Sequence, residues 1–393
     1  MNSSSHISIS DLISEILSRL PSKSVARFRC VSKQWASMFG SPYFKKLFMT
    51  RCLAKPRLLF AIIENGDEDE EAGCGVWSFF SLPQLENPYE KSSSTLVSAA
   101  EFHVKFSPEN LKINHYFDLK YSSCGYASGL FYIHGRYAIL PYRYTYRKAY
   151  SFFGFDPINK QYKVLYMAYP SGPGRDKVLS FGDGEMSWRK VKCSFLHDVR
   201  SEGVCINGIL YYLGDRDVVF SYSGDLDSYD YVIVCFDVRL EKFTFIEVEC
   251  FCQLINYKGK LAMIYWDDEL HVWILEDVEK KEWSKYAYTW TDDEFLRCNV
   301  SVAGATASGE IVFSMRNYIP EEPFYVFYFN LEKETFQRVE IQGFGEVSKE
   351  CCSVCTYVNH VEDLDVNDLE LLKPFHPPLE KPKCLLVSDS ESD

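Results

Sequence analysis

Four segments of the chain repeat one short pattern, and this repeat restricts the folds that the chain can adopt. In each segment an Asp or Asn is followed, six residues later, by an aromatic residue: Asp156 and Tyr162, Asp237 and Phe243, Asp277 and Trp283, and Asn330 and Phe336. Asp and Asn side chains accept backbone hydrogen bonds at turns, and the aromatic residue supplies a core contact. Each copy therefore predicts two antiparallel strands joined by a turn. A related fifth copy runs from Phe181 to Trp188.

A second repeated unit, an apolar run with a glycine at a tight turn, precedes most of these copies. The glycines are Gly129, Gly208, Gly259 and Gly309. Successive copies lie about 40 to 55 residues apart, which fits the four-stranded blades of a propeller. The region from Arg57 to Val358 has room for five or six blades, and "CCSVCTYVNH" near its end would supply the strand that the first blade lacks. An open β-sandwich is the structural alternative.

Before Lys55 the apolar residues follow a helical period. One face carries Ile9, Leu12, Ile13, Ile16, Leu17 and Leu20, and a later run carries Val25, Phe28, Val31, Trp35 and Phe39. The spacing predicts two or three short helices, with breaks at Pro21 and at Ser41-Pro42. So small a module cannot bury all of these side chains, so we expect Leu17, Leu20 and Trp35 to stay exposed. The alternative is that the helices pack on the rest of the chain.

The two parts of the chain differ in charge. Through Arg57 there are ten Lys and Arg residues against Asp11 and Glu15, although the whole chain has a net charge of −13. An acidic body disfavours a general nucleic-acid-binding protein, whereas a basic N-terminal module is steered toward an acidic partner.

The cysteines and the N-terminus indicate the compartment. The fourteen cysteines are scattered singly through apolar runs, unlike the dense disulfide framework of a small secreted domain. "MNSSSHISIS" lacks the basic and apolar regions of a signal peptide, and no apolar run approaches the roughly 18 residues of a membrane span. We therefore expect a protein of the cytoplasm, the nucleus or both, with no membrane association.

The N-terminal helices resemble an F-box. The resemblance spans roughly Ile9 to Leu47 and is carried by "EILSRLPSKSVARFRCVSKQWASMF" and the trailing "SPYF". In that family the helices insert into the Skp-type adaptor of a Skp–cullin–F-box ubiquitin ligase, which brings cullin and RING subunits. Carried over by position, the resemblance implies that the adaptor is bound by Ile9, Leu12, Ile16, Leu17, Leu20, Pro21, Val31, Ser32 and Trp35.

The remainder resembles the plant-type F-box-associated domain in its third subtype, across nearly all of Arg57 to Leu364. The matching stretches include "FGFDPINKQYKVL", "GVCINGILYYL" and "VCFDVRLEKFTFIEV". The resemblance implies capture of a protein substrate for ubiquitination by a noncatalytic subunit with no cofactor. The expected organisation is a flexible N-terminus (1–8), an F-box (9–48), a linker (49–56), a propeller-like, kelch-like all-β domain (57–364) and a flexible acidic tail (365–393).

One stretch of the β domain, "HGRYAILPYRYTYRK", is basic and rich in tyrosine within an otherwise acidic region. Tyr and Arg are frequent anchors of interfaces, and recognition residues concentrate on loops held by a rigid scaffold. We therefore expect an acidic or phosphorylated substrate to be bound by Arg136, Tyr142, Arg143, Tyr144 and Arg147. The alternative is that the tyrosines form one face of an ordinary strand.

Two other classes of function stay open. A carbohydrate-active propeller enzyme would need carboxylates and aromatic residues clustered at the mouth of the ring. A DNA-binding protein would need a single exposed basic face, with no apolar patch beside it, formed by Lys23, Arg27, Arg29 and Lys33. Cys352, Cys355 and His360 are potential zinc ligands, but no second cysteine pair at zinc-site spacing accompanies them, which favours cysteines in a strand core.

Overall fold

The structure is a computed structural model of the full chain. It describes residues 9–64, 76–85, 96–106, 122–127, 130–135, 137–139, 146–168, 176–181, 188–194, 196–216, 230–289, 298–345, 347 and 351–362. The predicted flexible segments 1–8 and 365–393 lie outside these ranges. In the described part, four helices precede a five-bladed β-propeller, which confirms the predicted class and settles the blade number. None of the helices found in these ranges combines the length and the apolar character that crossing a membrane requires.

The helical module has one helix more than the sequence pattern indicated. Its helices are α1 (Ile9–Leu17), α2 (Ser22–Arg29), α3 (Lys33–Gly40) and α4 (Pro42–Ala54). The expected break at Ser41-Pro42 separates α3 from α4. Beyond it a further helix begins, since Ser41 accepts the Phe44 N–H on its Oγ at 3.2 Å and Pro42 occupies the first turn of α4. Serine at the cap followed by proline is a favourable helix start. Residues 49–54, within the predicted linker of residues 49–56, belong to α4.

The strands follow one another along the chain from Arg57 to His360. The first group comprises β1 (Arg57–Glu64), β2 (Val76–Pro83), β3 (Leu96–Ala99), β4 (Glu101–Phe106), β5 (Ser122–Ala127), β6 (Leu130–Gly135), β7 (Tyr137–Ile139), β8 (Tyr146–Asp156), β9 (Gln161–Ala168), β10 (Lys177–Phe181) and β11 (Trp188–Lys190). The second group comprises β12 (Asp198–Val199), β13 (Val204–Ile206), β14 (Ile209–Asp215), β15 (Tyr231–Asp237), β16 (Lys242–Glu247), β17 (Gln253–Tyr257), β18 (Lys260–Trp266), β19 (Leu270–Asp277), β20 (Glu282–Tyr288), β21 (Val300–Ala305), β22 (Glu310–Met315), β23 (Asn317–Tyr318), β24 (Phe324–Asn330), β25 (Thr335–Gln342) and β26 (Cys352–His360).

These strands form five blades, in which neighbouring strands are antiparallel except for the parallel pair of β25 and β3. Blade 1 has the order β23-β26-β1-β2-β4 and blade 2 has the order β11-β10-β9-β8-β7, with β5 and β6 forming a separate two-stranded sheet beside β8. Blade 3 has the order β12-β14-β15-β16 with β13 also on β14, blade 4 runs from β17 to β20, and blade 5 has the order β21-β22-β24-β25-β3. Four large buried clusters fill the spaces between neighbouring blades, so the core is shared around the ring.

Two strands close the ring. β26, from the end of the chain, pairs antiparallel with β1, as in the Ile62–Val354 pair. This confirms that "CCSVCTYVNH" completes the first blade. The second closure was not foreseen: β3 pairs parallel with β25 at the outer edge of blade 5, and the chain then enters β4 of blade 1. The Ala100 N–H between these strands donates to the Gln342 carbonyl at 2.7 Å.

The repeated Asx turns form as predicted. One side-chain oxygen of Asp156, Asp237, Asp277 or Asn330 accepts two backbone N–H groups of its own turn in every copy. The fifth residue of each turn has positive φ: Lys160, Glu241, Lys281 and Glu334. The aromatic residues then face the opposite strand, as in the Phe155–Tyr162 and Phe236–Phe243 pairs. Most of the fifth copy, between Phe181 and Trp188, lies outside the described residues, as does Gly129.

The turns identify one end of the propeller, which we call the turn end. Asn207 Nδ2 in blade 3 donates to the Gly259 carbonyl in blade 4 at 3.0 Å, and Asn359 Nδ2 in blade 1 donates to the Ala305 carbonyl in blade 5 at 2.8 Å. Arg57 pairs with His360 at the same end of blade 1. Because α4 leads directly into Arg57, the helical module joins the propeller at its turn end. We call the opposite end the loop end.

Candidate functional site

The helical module has a small core of its own. Leu17, Val25, Phe39, Phe44 and Phe48 are buried together. The Phe39 and Phe44 rings meet edge to face with centroids 4.9 Å apart, a favourable aromatic geometry. Two of the five buried residues come from α4, so the fourth helix supplies the volume that the sequence pattern lacked.

This core corrects the expectation that Leu17, Leu20 and Trp35 are exposed. Leu17 is buried, and Leu20 and Trp35 are half-buried against the same cluster. The Trp35 ring lies 5.2 Å from the Phe28 ring and 5.8 Å from the Phe39 ring, measured between centroids. The predicted exposure is therefore wrong for Leu17, because the aromatic residues of α4 were not counted as neighbours.

Other apolar side chains of the module remain exposed. On α1, Leu12 is 49% exposed, Ile13 37% and Ile16 64%. Ile16 lies three residues after Ile13 and four residues after Leu12, so it neighbours both of them on one side of the helix. Val31, in the α2–α3 connection, is 66% exposed. We call Leu12, Ile13 and Ile16 the α1 apolar surface.

Three other residues predicted to bind the adaptor, Pro21, Ser32 and Ile9, differ in their structural roles. Pro21 is exposed and stands at the N-cap of α2, whereas Ser32 caps α3 by accepting the Trp35 N–H on its Oγ at 3.2 Å. Ser32 therefore has a structural role whether or not it touches a partner. Ile9 begins α1, but its side chain lies outside the described residues.

Three exposed apolar residues of the module were not among the predicted contacts: Ile13, Tyr43 and Leu53. Tyr43 is 54% exposed and Leu53 62%. Ile13 carried a signal in the sequence, since it falls on the same helical face as Leu12 and Ile16. The sequence pattern did not indicate Tyr43 or Leu53, because α4 itself was not predicted.

The module is attached to the propeller through polar contacts. The backbone N–H of Ser22, at the N-terminus of α2, donates to Glu362 Oε2 at 2.7 Å, and this carboxylate is 9% exposed. A carboxylate is favourable there because it satisfies an unpaired N–H and meets the positive end of the helix dipole. Lys23 Nζ lies 5.7 Å from the centre of the Phe102 ring of β4. The alternative that the helices pack on the rest of the chain thus holds for α2 and not for the α1 apolar surface.

The basic residues of the module do not form the face that DNA binding would need. Lys23 points toward the propeller at Phe102, and Val31 is 66% exposed between Arg29 and Lys33. An apolar side chain therefore stands beside the basic ones. This arrangement suits a partner with mixed apolar and acidic character better than a phosphate backbone.

The predicted substrate residues are mostly beyond what the structure describes. Arg136, Tyr142, Arg143 and Tyr144 lie outside the described residues. Arg147 is in β8, where it pairs with Ala138 of β7, but its side chain is not among those described. Tyr146 also lies in β8, so these two residues agree with the alternative that this stretch is part of an ordinary strand.

The cysteine pair near the C-terminus lies in strand cores. Cys352 is buried in the cluster between blades 1 and 5, whereas Cys355 packs against a different cluster that includes Trp77. Residues three apart on a strand point to opposite faces, so the two sulphur atoms cannot bind one zinc ion together. Burial, with smaller contributions from the nearby His103 and Arg57, lowers the pKa of His360 to about 4 against the opposing charge of Glu362.

Comparison with known sequences agrees with this division of the chain. Residues 10–47 match the family described as "F-box domain", and residues 57–361 match the "F-box associated beta propeller domain". F-box protein At2g16450 of Arabidopsis thaliana is 61% identical over 95% of this chain and 97% of its own length. F-box protein At2g15640 of the same plant is 62% identical over 98% of both chains, and the putative F-box protein At2g16220 is 58% identical over 99% of this chain and 98% of its own.

Proposed function

The chain belongs to the F-box proteins that carry an F-box associated beta propeller domain, and we propose that it is the substrate-recognition subunit of a Skp–cullin–F-box ubiquitin ligase. The helical module docks on the Skp-type adaptor, which connects it to the cullin and RING subunits. The propeller presents a protein substrate. The ubiquitin transfer chemistry belongs to the other subunits, so the protein itself is noncatalytic and needs no cofactor. The complex acts in the cytoplasm, the nucleus or both.

The α1 apolar surface is the observation that carries this proposal. Leu12 and Ile16 expose about half or more of their side chains although the module has a closed core of its own. Leaving such side chains in water is unfavourable, and contiguous exposed apolar residues mark sites of protein association. An adaptor that covers them would complete the apolar packing of the module.

The test measures affinity for a purified Skp-type adaptor by biolayer interferometry, with the full chain immobilised. Changing Leu12 and Ile16 to Asp should weaken binding by at least about 30-fold, since a buried apolar anchor contributes on the order of 2 kcal/mol. Both side chains are exposed, so the module should keep its fold. The matched control is Leu240→Asp, which alters a residue that is 56% exposed on the propeller and should leave affinity unchanged.

Wild-type affinity of the Leu12→Asp, Ile16→Asp variant would show that the adaptor, if bound, uses another surface. The half-buried Leu20 and Trp35 are poorer choices for this test, because their truncation would also damage the core of the module.

The stretch from His134 to Lys148 remains our proposal for binding an acidic or phosphorylated substrate. Its support is the sequence alone, four basic residues and several tyrosines within an acidic domain. Changing Arg143 and Arg147 to Glu should abolish capture of such a substrate while leaving adaptor affinity unchanged. Unaltered recovery of acidic substrates by this variant would exclude the stretch.

A further inference from the structure

The loop end of the propeller is free of the helical module. The module enters at the turn end, beside Arg57 and His360. At the loop end of blades 3 and 4, the register places Asp215 opposite Tyr231, Val232 opposite Glu247, and Trp266 opposite Leu270. A partner bound there would not compete with a partner bound to the helical module.

An exposed aromatic ring is held in a fixed position at this end. Phe251, in the connection between blades 3 and 4, is 50% exposed. Its ring meets the Tyr231 ring edge to face, with centroids 6.1 Å apart. The connection is tied down on both sides of Phe251, because Cys252 is buried and the Val248 N–H donates to the Tyr231 carbonyl at 3.2 Å. A rigid aromatic side chain loses little conformational entropy when a partner covers it.

Carboxylates lie near the connection that carries this ring, and Glu249 stands two residues before Phe251. Burial raises the pKa of the Tyr265 hydroxyl, and the charges of Cys250, Asp267 and Glu249 raise it further, which places these groups about one part of the surface. Asp267 is held there by accepting the Glu269 N–H at 2.8 Å and His271 Nε2 at 2.9 Å. The result is an aromatic centre with an acidic rim.

Two cations at the same end of blade 3, Arg200 and Arg216, are already paired with carboxylates. Arg200 contacts Asp215 at 2.7 Å, and Arg216 contacts Asp230 at 2.7 Å and Glu247 at 3.3 Å. Within the described ranges, neither Glu249 nor Asp268, which follows Asp267 in the chain, forms an ion pair with a cation. The potential at this surface is therefore negative, and it attracts positively charged groups.

We propose that the surface around Phe251, with Tyr231, Glu249, Asp267 and Asp268, binds a substrate segment in which Lys or Arg flanks a large apolar side chain. The apolar side chain packs on the Phe251 ring, and the cation pairs with the carboxylates of the rim. This inference rests on the proposed function, since it assigns the substrate class of a ligase subunit. It concerns a different surface and the opposite charge from the His134 to Lys148 stretch.

The test uses a phage-displayed library of random 12-residue peptides, selected on the immobilised full chain. The peptides selected by the wild-type protein should carry Lys or Arg within a few residues of an aromatic or long aliphatic residue. A synthetic peptide of the selected sequence is then titrated by fluorescence anisotropy against the wild-type protein and its variants.

Phe251→Ser should weaken binding of this peptide by about tenfold or more, because truncation of a central aromatic anchor reduces affinity strongly. The double variant Glu249→Gln, Asp268→Asn removes charge without touching an internal ion pair, and it should weaken binding by roughly 3- to 10-fold, with affinity falling as salt rises. Leu240→Ser, at the turn end and 56% exposed, is the matched control and should have no effect.

Three results would overturn the inference: no peptide is selected, the selected peptides are acidic, or Phe251→Ser binds them as tightly as the wild type. Acidic peptides would favour the His134 to Lys148 stretch instead. Adaptor affinity, measured on the same preparations, separates the two proposals. A protein that binds the adaptor without binding basic peptides loses only this inference, and one that binds the peptides without binding the adaptor loses the ligase function.

Discussion

The propeller buries side chains of the strand that closes its ring, whereas the helical module leaves apolar side chains of one helix exposed. The propeller brings β26 from the end of the chain to complete blade 1, so that Val354 and Cys352 join the same buried cluster as Leu58 and Phe60. The module closes a core around Phe39 and Phe44 and still leaves Leu12, Ile16 and Val31 largely exposed. A row of exposed apolar side chains on one helix thus belongs to the module, whereas the propeller exposes apolar side chains such as Phe251 and Leu240 at its two ends.

This difference indicates that a partner would stabilise the helical module and not the propeller. A closed ring has its core satisfied within the chain, whereas the module presents an apolar helix face to water. A partner that covers this face stabilises the module by mass action and leaves the propeller almost unaffected. Four substitutions or truncations test this contrast, and we describe them from the largest expected effect to the smallest.

Removal of residues 351–393 should abolish the folded propeller. It deletes β26, which pairs with β1 and β23 and contributes to the core between blades 1 and 5. Removal of residues 366–393 is the control and leaves every described strand in place. Thermal unfolding followed by near-UV circular dichroism should show no cooperative transition for the first truncation and a wild-type transition for the second. Equal melting temperatures would mean that the ring does not depend on its closing strand.

Phe44→Ala should destabilise the module by about 3 to 5 kcal/mol, because it removes a fully buried aromatic ring from a small core. Hydrogen exchange should then rise throughout α1 to α4 while the blades keep their protection. Tyr43→Ala, at a neighbouring residue that is 54% exposed, should change exchange little. If Phe44→Ala also melted the blades, the two parts would be one cooperative unit and the contrast between them would fail.

Gly343→Ala should destabilise the propeller by roughly 1 to 3 kcal/mol, since strained backbone and a steric clash combine there. Gly343 has φ of +95°, and a Cβ atom would stand 2.6 Å from the Ala100 carbonyl oxygen at the second closure. Gly345 also has positive φ, but a Cβ atom there would meet nothing within 4 Å. The difference between the two alanine variants in urea unfolding therefore isolates the contribution of close packing. Equal losses would attribute the whole effect to the backbone.

His360 should make the propeller less stable in mild acid. Burial lowers the pKa of His360 from 6.5 to about 4. Below pH 6.5 the unfolded chain therefore binds a proton at His360, whereas the folded chain binds this proton only near pH 4. Stability contributed by the neutral ring is present above pH 6.5 and is lost as the pH falls from 6.5 toward 4. The charged and titratable groups around the ring are Glu362, His103 and Arg57.

The corresponding variant is His360→Gln. Between pH 7 and pH 5 it should lose on the order of 1 kcal/mol less stability than the wild type, because the linked proton is absent. Urea unfolding at the two pH values gives the measurement. His103, whose pKa is also lowered by burial, requires His103→Gln as a parallel control. An unchanged pH dependence in His360→Gln would exclude His360 as the source.

The sequence by itself determined the features that depend on neighbours along the chain. The Asx turns at Asp156 and Asp237 were predictable because their hydrogen bonds join residues two or three positions apart. The apolar face of α1 was visible as a helical spacing for the same reason. Number and spacing of these local units were enough to predict a propeller of five or six blades.

The tertiary structure alone decided which apolar residues are buried and how the two parts meet. Leu17 and Ile16 are adjacent in the sequence, yet Leu17 lies in the core and Ile16 is 64% exposed, since Phe44 and Phe48 of α4 cover only one of them. The contact between the Ser22 N–H and Glu362 joins residues 340 positions apart. No local pattern encodes such a contact, because closure of the ring by β26 is what carries Glu362 to the beginning of α2.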